Sequence, residues 1–160
     1  MIVSSPVVFD KVFTFNLDGS ISFGTLSEDV IHEMFKDGRL ASHFLERQLE
    51  KWFPELTFVN AKGYDHVDGK GVKYDQKCFT KGGLKFMPST MIGAGRSLNE
   101  EVAQAHANEI NYIACDIVDF PIVRVLFKSG ADLVAKYPKC SIPFKDRADF
   151  FGIKPKKALT

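Results

Sequence analysis

Asp65 stands ten residues before Asp75, and Lys77 follows two residues later. Two carboxylates and an ammonium can hold a divalent cation and face a phosphodiester, so their placement decides whether the pattern carries chemistry. A strand over 72–80 would alternate its side chains between faces. Asp75 and Lys77 would then project together, with Gln76 on the other side. Between the acids, Asp68-Gly69-Lys70-Gly71 has turn composition and would fold the preceding strand back, bringing Asp65 toward Asp75. Closed in this way, the three groups make a Mg²⁺ site with a lysine at its edge. Such a site suits hydrolysis of a phosphodiester.

Spacing alone does not carry that reading. With 20 acids in 160 residues and a lysine at roughly one position in ten, about two acid-x-Lys tripeptides arise by chance. The chain has two, Asp75-Gln76-Lys77 and Asp68-Gly69-Lys70. The first lies in a β-type run and follows an acid at hairpin spacing. The second lies in the turn, where Asp and Gly serve the backbone. The plain alternative for Asp75 and Lys77 is a solvent-facing pair on an ordinary strand.

The composition is that of a globular chain, 45% hydrophobic and 26% charged, and the length suits one domain spanning residues 1–160. Fifteen phenylalanines point to a dense aromatic core. A net charge of +1 excludes a global basic field. Residues 62–85 are different, with Lys62, Lys70, Lys73, Lys77, Lys81 and Lys85 against three aspartates, and such a local surface could grip phosphates. Cys78, Cys115 and Cys140 are widely spaced among apolar neighbours and read as buried, reduced thiols rather than a zinc site. No signal peptide pattern and no apolar run near 18 residues is seen, so a soluble cytoplasmic protein without a membrane span is expected.

Apolar alternation through residues 6–24 around Leu17-Asp18-Gly19 predicts a hairpin. Ser27 with Glu28 and Asp29 opens a helical stretch, broken near Gly38, that Pro54 ends. Its second half centres its core stripe on Leu45, Leu49 and Trp52, with Glu46 at the edge. Strands over 57–67 and 72–80 form the acid-bearing hairpin. A loop rich in Gly follows, in which Ser89, Thr90 and Arg96 are candidate contacts to a nucleic-acid backbone, as are Lys73 and Lys81. A capping box at Ser97–Glu100 starts a helix to about residue 109. The continuous apolar run 110–118 predicts a central strand, 122–127 a returning one, and 131–137 and 145–151 short helices. His66 faces away from Asp65 on strand alternation, which suggests a structural or surface role. Asp116, inside the apolar run, reads as a buried hydrogen-bonded acid or an edge residue. The order of elements predicts a layered α/β (α+β) domain with a mixed central β-sheet flanked by helices.

An acid on a helix, then an Asp, then Asp-x-Lys on the next strand, then a helix and further strands, resembles the PD-(D/E)xK nuclease superfamily. The likeness spans residues 39–127, and small type II restriction endonucleases look most similar. Tyr64 stands where many members carry proline. The resemblance implies a restriction-endonuclease-like core, with Asp65 and Asp75 as metal-binding acids and Lys77 as the catalytic lysine. It adds the carbonyl of Gln76 as a ligand and Glu46 as a helical glutamate reaching the metal through water. It further implies Mg²⁺, with Mn²⁺ able to substitute, double-stranded DNA as substrate, a homodimer, and a prokaryotic or phage source. A junction-resolving nuclease and a non-catalytic nucleic-acid-binding module are the alternatives.

Overall fold

The computed structural model describes residues 4–18 and 23–154. In chain order these form β1 (Val12–Asn16), α1 (Glu28–Met34), α2 (Gly38–Trp52), β2 (Thr57–Ala61), β3 (Tyr64–Val67) and β4 (Lys73–Phe79). There follow β5 (Leu84–Lys85), a 3-10 turn (Ser89–Met91), α3 (Glu100–Glu109), β6 (Asn111–Asp116) and β7 (Ile122–Ser129). The chain continues through α4 (Gly130–Lys136), β8 (Ser141–Ile142), a second 3-10 turn (Phe144–Asp146) and α5 (Arg147–Phe150). The result is a mixed α/β architecture. Six strands make one mixed sheet in the order β1-β7-β6-β4-β3-β2, and β5 pairs with β8 in a separate two-stranded ribbon.

Each helix forms for a local reason. The Asp37 carboxylate caps α2 by accepting from the Arg39 N–H at 2.9 Å. Ala41, Leu45, Leu49 and Trp52 recur at helical spacing and are buried, so this stripe docks α2 on the sheet. Tyr74, Ile113, Cys115, Val125 and Phe127 meet it from the strands. Aromatic edges knit this layer together: Phe53 lies 4.9 Å from Phe127 and 5.0 Å from Phe13 in T-shaped contacts, and Phe15 stacks on Trp52 at 4.1 Å. The opposite layer is built on Ala103 and Ala107 of α3, Leu133 and Val134 of α4, and Phe79, Tyr112, Ala114 and Leu126 of the sheet. The small alanines let α3 approach α4 closely. A Cβ on Gly130, at the start of α4, would stand 1.7 Å from the Ala107 carbonyl oxygen.

Several expectations change. Of the predicted 6–24 hairpin, the first strand is present and pairs antiparallel with β7, from Val12 opposite Leu126 to Asn16 opposite Ile122. Its expected turn at Gly19 and return at Ile21 lie outside the described residues, and Phe23 is exposed without strand structure. The expected strand 57–67 is two strands, folded back at Lys62-Gly63, where Gly63 takes φ +90°. Sequence alternation ran across that turn because apolar residues flank it on both sides. Asn99, not Ser97, caps α3, accepting from the Val102 N–H at 3.2 Å. Cys115 and Cys140 are buried but Cys78 only partly, and all three are free. Among the described residues, no helix is long and apolar enough to cross a membrane.

Candidate active site

The site forms where β3 and β4 part. Their antiparallel ladder pairs Val67 with Lys73 and His66 with Tyr74, then stops. Continued by two residues, that register would set Tyr64 against Gln76. Instead the Gln76 N–H donates to Asp65 Oδ2 at 3.0 Å. The Asp65 side chain thus satisfies a backbone donor that the parting strands would leave unpaired. On its other side β4 runs parallel to β6, from Tyr74 opposite Asn111 to Phe79 opposite Asp116. One edge of β4 is therefore rigidly held while the other opens to a cleft.

Asp75 and Lys77 share a face of β4, as alternation requires, and Lys77 Nζ lies 3.2 Å from Asp75 Oδ2. Both side chains are largely shielded from solvent, 14% exposed for Asp75 and 18% for Lys77. Burial drives the Asp75 carboxyl up to about 7, the lysine charge opposes this, and a hydrogen bond and charge repulsion from Asp65 push it further up. Asp65 thus stands near enough to Asp75 for its charge to raise that carboxyl, while Lys77 on the other side draws it down.

Glu46 reaches the same cleft from α2. Burial, and then the Asp65 charge, raise its carboxyl above the ordinary range. Its main chain is tied to β3: His66 is fully buried and its Nε2 lies 2.8 Å from the Glu46 carbonyl, to which it donates. Burial lowers the His66 pKa, so the ring is held neutral. His66 is therefore structural and not at the surface. Alternation turns it away from Asp65, as expected; nothing in the sequence marks its partner on α2.

These groups line a cleft of about 1150 Å³ between α2, the β2–β3 turn, the 3-10 turn and α3. Ser89 and Thr90 lie on its rim, and Lys62, Lys77, Lys85 and His106 add positive or donor groups. Gln76 also lines it, although its amide side chain points to the α2 layer and donates to Cys78 Sγ at 3.2 Å. Lys73 and Lys81 do not line this cleft. The Lys73 ammonium sits 5.0 Å above the Tyr64 ring, and Lys81 borders a smaller neighbouring depression. Arg96 folds back, its Nη1 donating to the Ser89 carbonyl at 2.9 Å and the Ile92 carbonyl at 3.3 Å, so it braces the rim loop. The lysines of 62–85 thus do not form one face, because alternation and two turns send them in different directions. Of that run, Lys62, Lys77 and Lys85 do reach the cleft; sequence reasoning missed His106 as a cleft residue.

Asp116 is the buried hydrogen-bonded acid of the two readings. It is fully buried, 2.9 Å from Arg147 Nη2 and 3.2 Å from Arg124 Nη1, and accepts from the Val118 N–H. It is not among the residues lining the cleft.

The donor chemistry of Asp65 and Asp75 fits a hard divalent cation: both offer only oxygen, and the negative charge of Asp65 raises the neighbouring Asp75 carboxyl, which a cation beside them would offset. Among the described residues, no three His, Cys, Asp or Glu side chains form a group able to hold a metal ion. An ion here would therefore rest on two carboxylates and complete its shell from main-chain oxygen and water. Comparison of the chain with protein-family models and with curated proteins finds no match.

Proposed function

We propose that this chain is a Mg²⁺-dependent DNA endonuclease with a restriction-endonuclease-like core, acting as a homodimer on double-stranded DNA. The observation that carries the reading is the convergence of Asp65, Asp75 and Lys77 where β3 and β4 part, with Asp65 bonded to the Gln76 amide. An ordinary solvent-facing strand pair would have no second acid bonded to the neighbouring main chain and no cleft beside it.

Asp65 and Asp75 would hold Mg²⁺ or Mn²⁺ together with the Gln76 carbonyl, and Glu46 would act through water. Such an ion, when bound, polarises a phosphate and acidifies water. Lys77, held beside Asp75, is placed to orient the attacking water and offset charge growing on the phosphate. Two strands and a helix fix these groups, which supplies the positioning the reaction needs. Cutting both strands of a symmetric site calls for two such centres, hence two copies. Ser89 and Thr90 on the rim would meet the DNA backbone.

The test is a digest of plasmid, linear phage DNA and a four-way junction, with Mg²⁺ and with EDTA. Discrete Mg²⁺-dependent fragments support restriction-type cleavage, and a smear supports an unspecific nuclease. Cutting confined to the junction supports a resolvase. DNA bound but left intact under all conditions overturns the nuclease reading in favour of a non-catalytic binding module.

A further inference from the structure

His106 lies on α3, one position before the buried Ala107, and its side chain is half-buried on the wall of the acid-bearing cleft. Its neighbours on the helix are engaged elsewhere. Gln104 Nε2 donates to the Pro138 carbonyl at 2.7 Å, and Asn108 Nδ2 to the Gln104 carbonyl at 2.9 Å. His106 has no such partner among the described residues. Its ring faces the β2–β3 turn. The β2–β3 turn comes so close that a Cβ on Gly63 would lie 3.2 Å from His106 Cε1. Gly63 also adopts φ +90°, so this close approach uses the residue type best able to make it.

A half-buried imidazole without a protein partner among the described residues, on the same wall system as Lys62, Lys77 and Lys85, is suited to an anionic oxygen entering the cleft. We propose that His106 is a substrate-contacting residue that donates a hydrogen bond to a backbone phosphate of the DNA strand in the cleft. The assignment rests on the nuclease reading and adds a residue to it. Lys77 stands beside the carboxylates and acts on the reacting phosphate. His106 stands against the β2–β3 turn and grips the strand, so its loss falls on binding rather than on the rate of the bound complex.

The experiment compares wild type with His106→Ala, His106→Phe and His106→Gln. Anisotropy of a fluorescent duplex in Ca²⁺ gives Kd, single-turnover cleavage in Mg²⁺ at saturating protein gives the bound rate, and thermal melting checks the fold. Phe keeps ring bulk against Gly63 without a donor, whereas Gln keeps a donor. Ala and Phe should weaken binding about tenfold, the size of one hydrogen bond to a charged group, with the saturating rate changed less than about twofold. Gln should recover most of the affinity. A Phe variant that binds like wild type while wild type cuts DNA overturns the His106 assignment alone and leaves the ring as packing. A wild type that neither binds nor cuts duplex overturns both.

Discussion

Replacing Asp75 with Asn should make the cation-free protein more stable at neutral pH, and the gain should grow with pH. The Asp75 carboxyl is pushed from an ordinary value of 3.8 up to about 7, chiefly by burial. The folded chain therefore binds this proton more tightly than the unfolded chain. Its stabilising effect is fully present below the unfolded value and is lost as pH rises through the folded one. Each pH unit in that window costs up to about 1.4 kcal/mol, so between about pH 5 and pH 7 wild type gives up at most ~2.7 kcal/mol at this residue. Asn cannot ionise and so carries no charge to be repelled by Asp65. Losing the Lys77 pairing lowers the variant's stability by a pH-independent amount and leaves the rise of roughly 2 kcal/mol across that interval. Urea unfolding in EDTA measures it, followed by the fluorescence of the single, buried Trp52. Mg²⁺ should shrink the gap, because a cation between the carboxylates stabilises wild type and not the variant. A stability difference independent of pH would show that Asp75 is not held protonated by its surroundings.

The rest of the fold offers further tests. Asp116→Asn leaves Arg124 and Arg147 with Asp119 as their remaining carboxylate, and should cost about 1–3 kcal/mol by urea unfolding without altering the cleft. A loss below about 1 kcal/mol would mean the network contributes little. Gly130→Ala forces a Cβ to within 1.7 Å of the Ala107 carbonyl oxygen, backbone against backbone. It should separate α3 from α4 and lower stability by ~3 kcal/mol or more, read from the thermal midpoint; a melt like wild type would contradict the close approach.

Much of the site was legible because β alternation is a strict geometric rule. Asp75 and Lys77 share a face for no reason beyond their spacing, and Gln76 turns away for the same reason. The Asp68–Val72 turn was legible in its Asp and Gly residues, and Asp68 does cap it, accepting from the Lys70 and Val72 N–H groups. Long-range pairing was not legible. Nothing local tells Val12–Asn16 to cross to β7, because any apolar alternating strand could fill that edge. The Lys62-Gly63 fold was hidden by apolar residues on both sides of it. Arg96 read as a phosphate contact because a guanidinium suits both an anion and a pair of carbonyls, and only the loop's path decides between them. His66 and His106 differ by one being tied to a carbonyl and one lining a cleft without a partner among the described residues, a distinction that exists only once helices and turns are placed.

Lys77→Ala and Lys70→Ala, compared by single-turnover cleavage of duplex DNA in Mg²⁺, test the central claim most directly. Both lysines stand in acid-x-Lys tripeptides, but only Lys77 sits in the cleft beside a buried carboxylate; Lys70 lies in the exposed turn between β3 and β4. Lys77→Ala should lower the cleavage rate by about 100-fold or more, since the loss falls on charge developing at the reacting phosphate, with the thermal midpoint nearly unchanged. Lys70→Ala should lower it only a few-fold through weaker phosphate attraction. Equal, small losses in the two variants would make Asp75-Gln76-Lys77 an ordinary strand and contradict the assignment of this cleft as a nuclease centre.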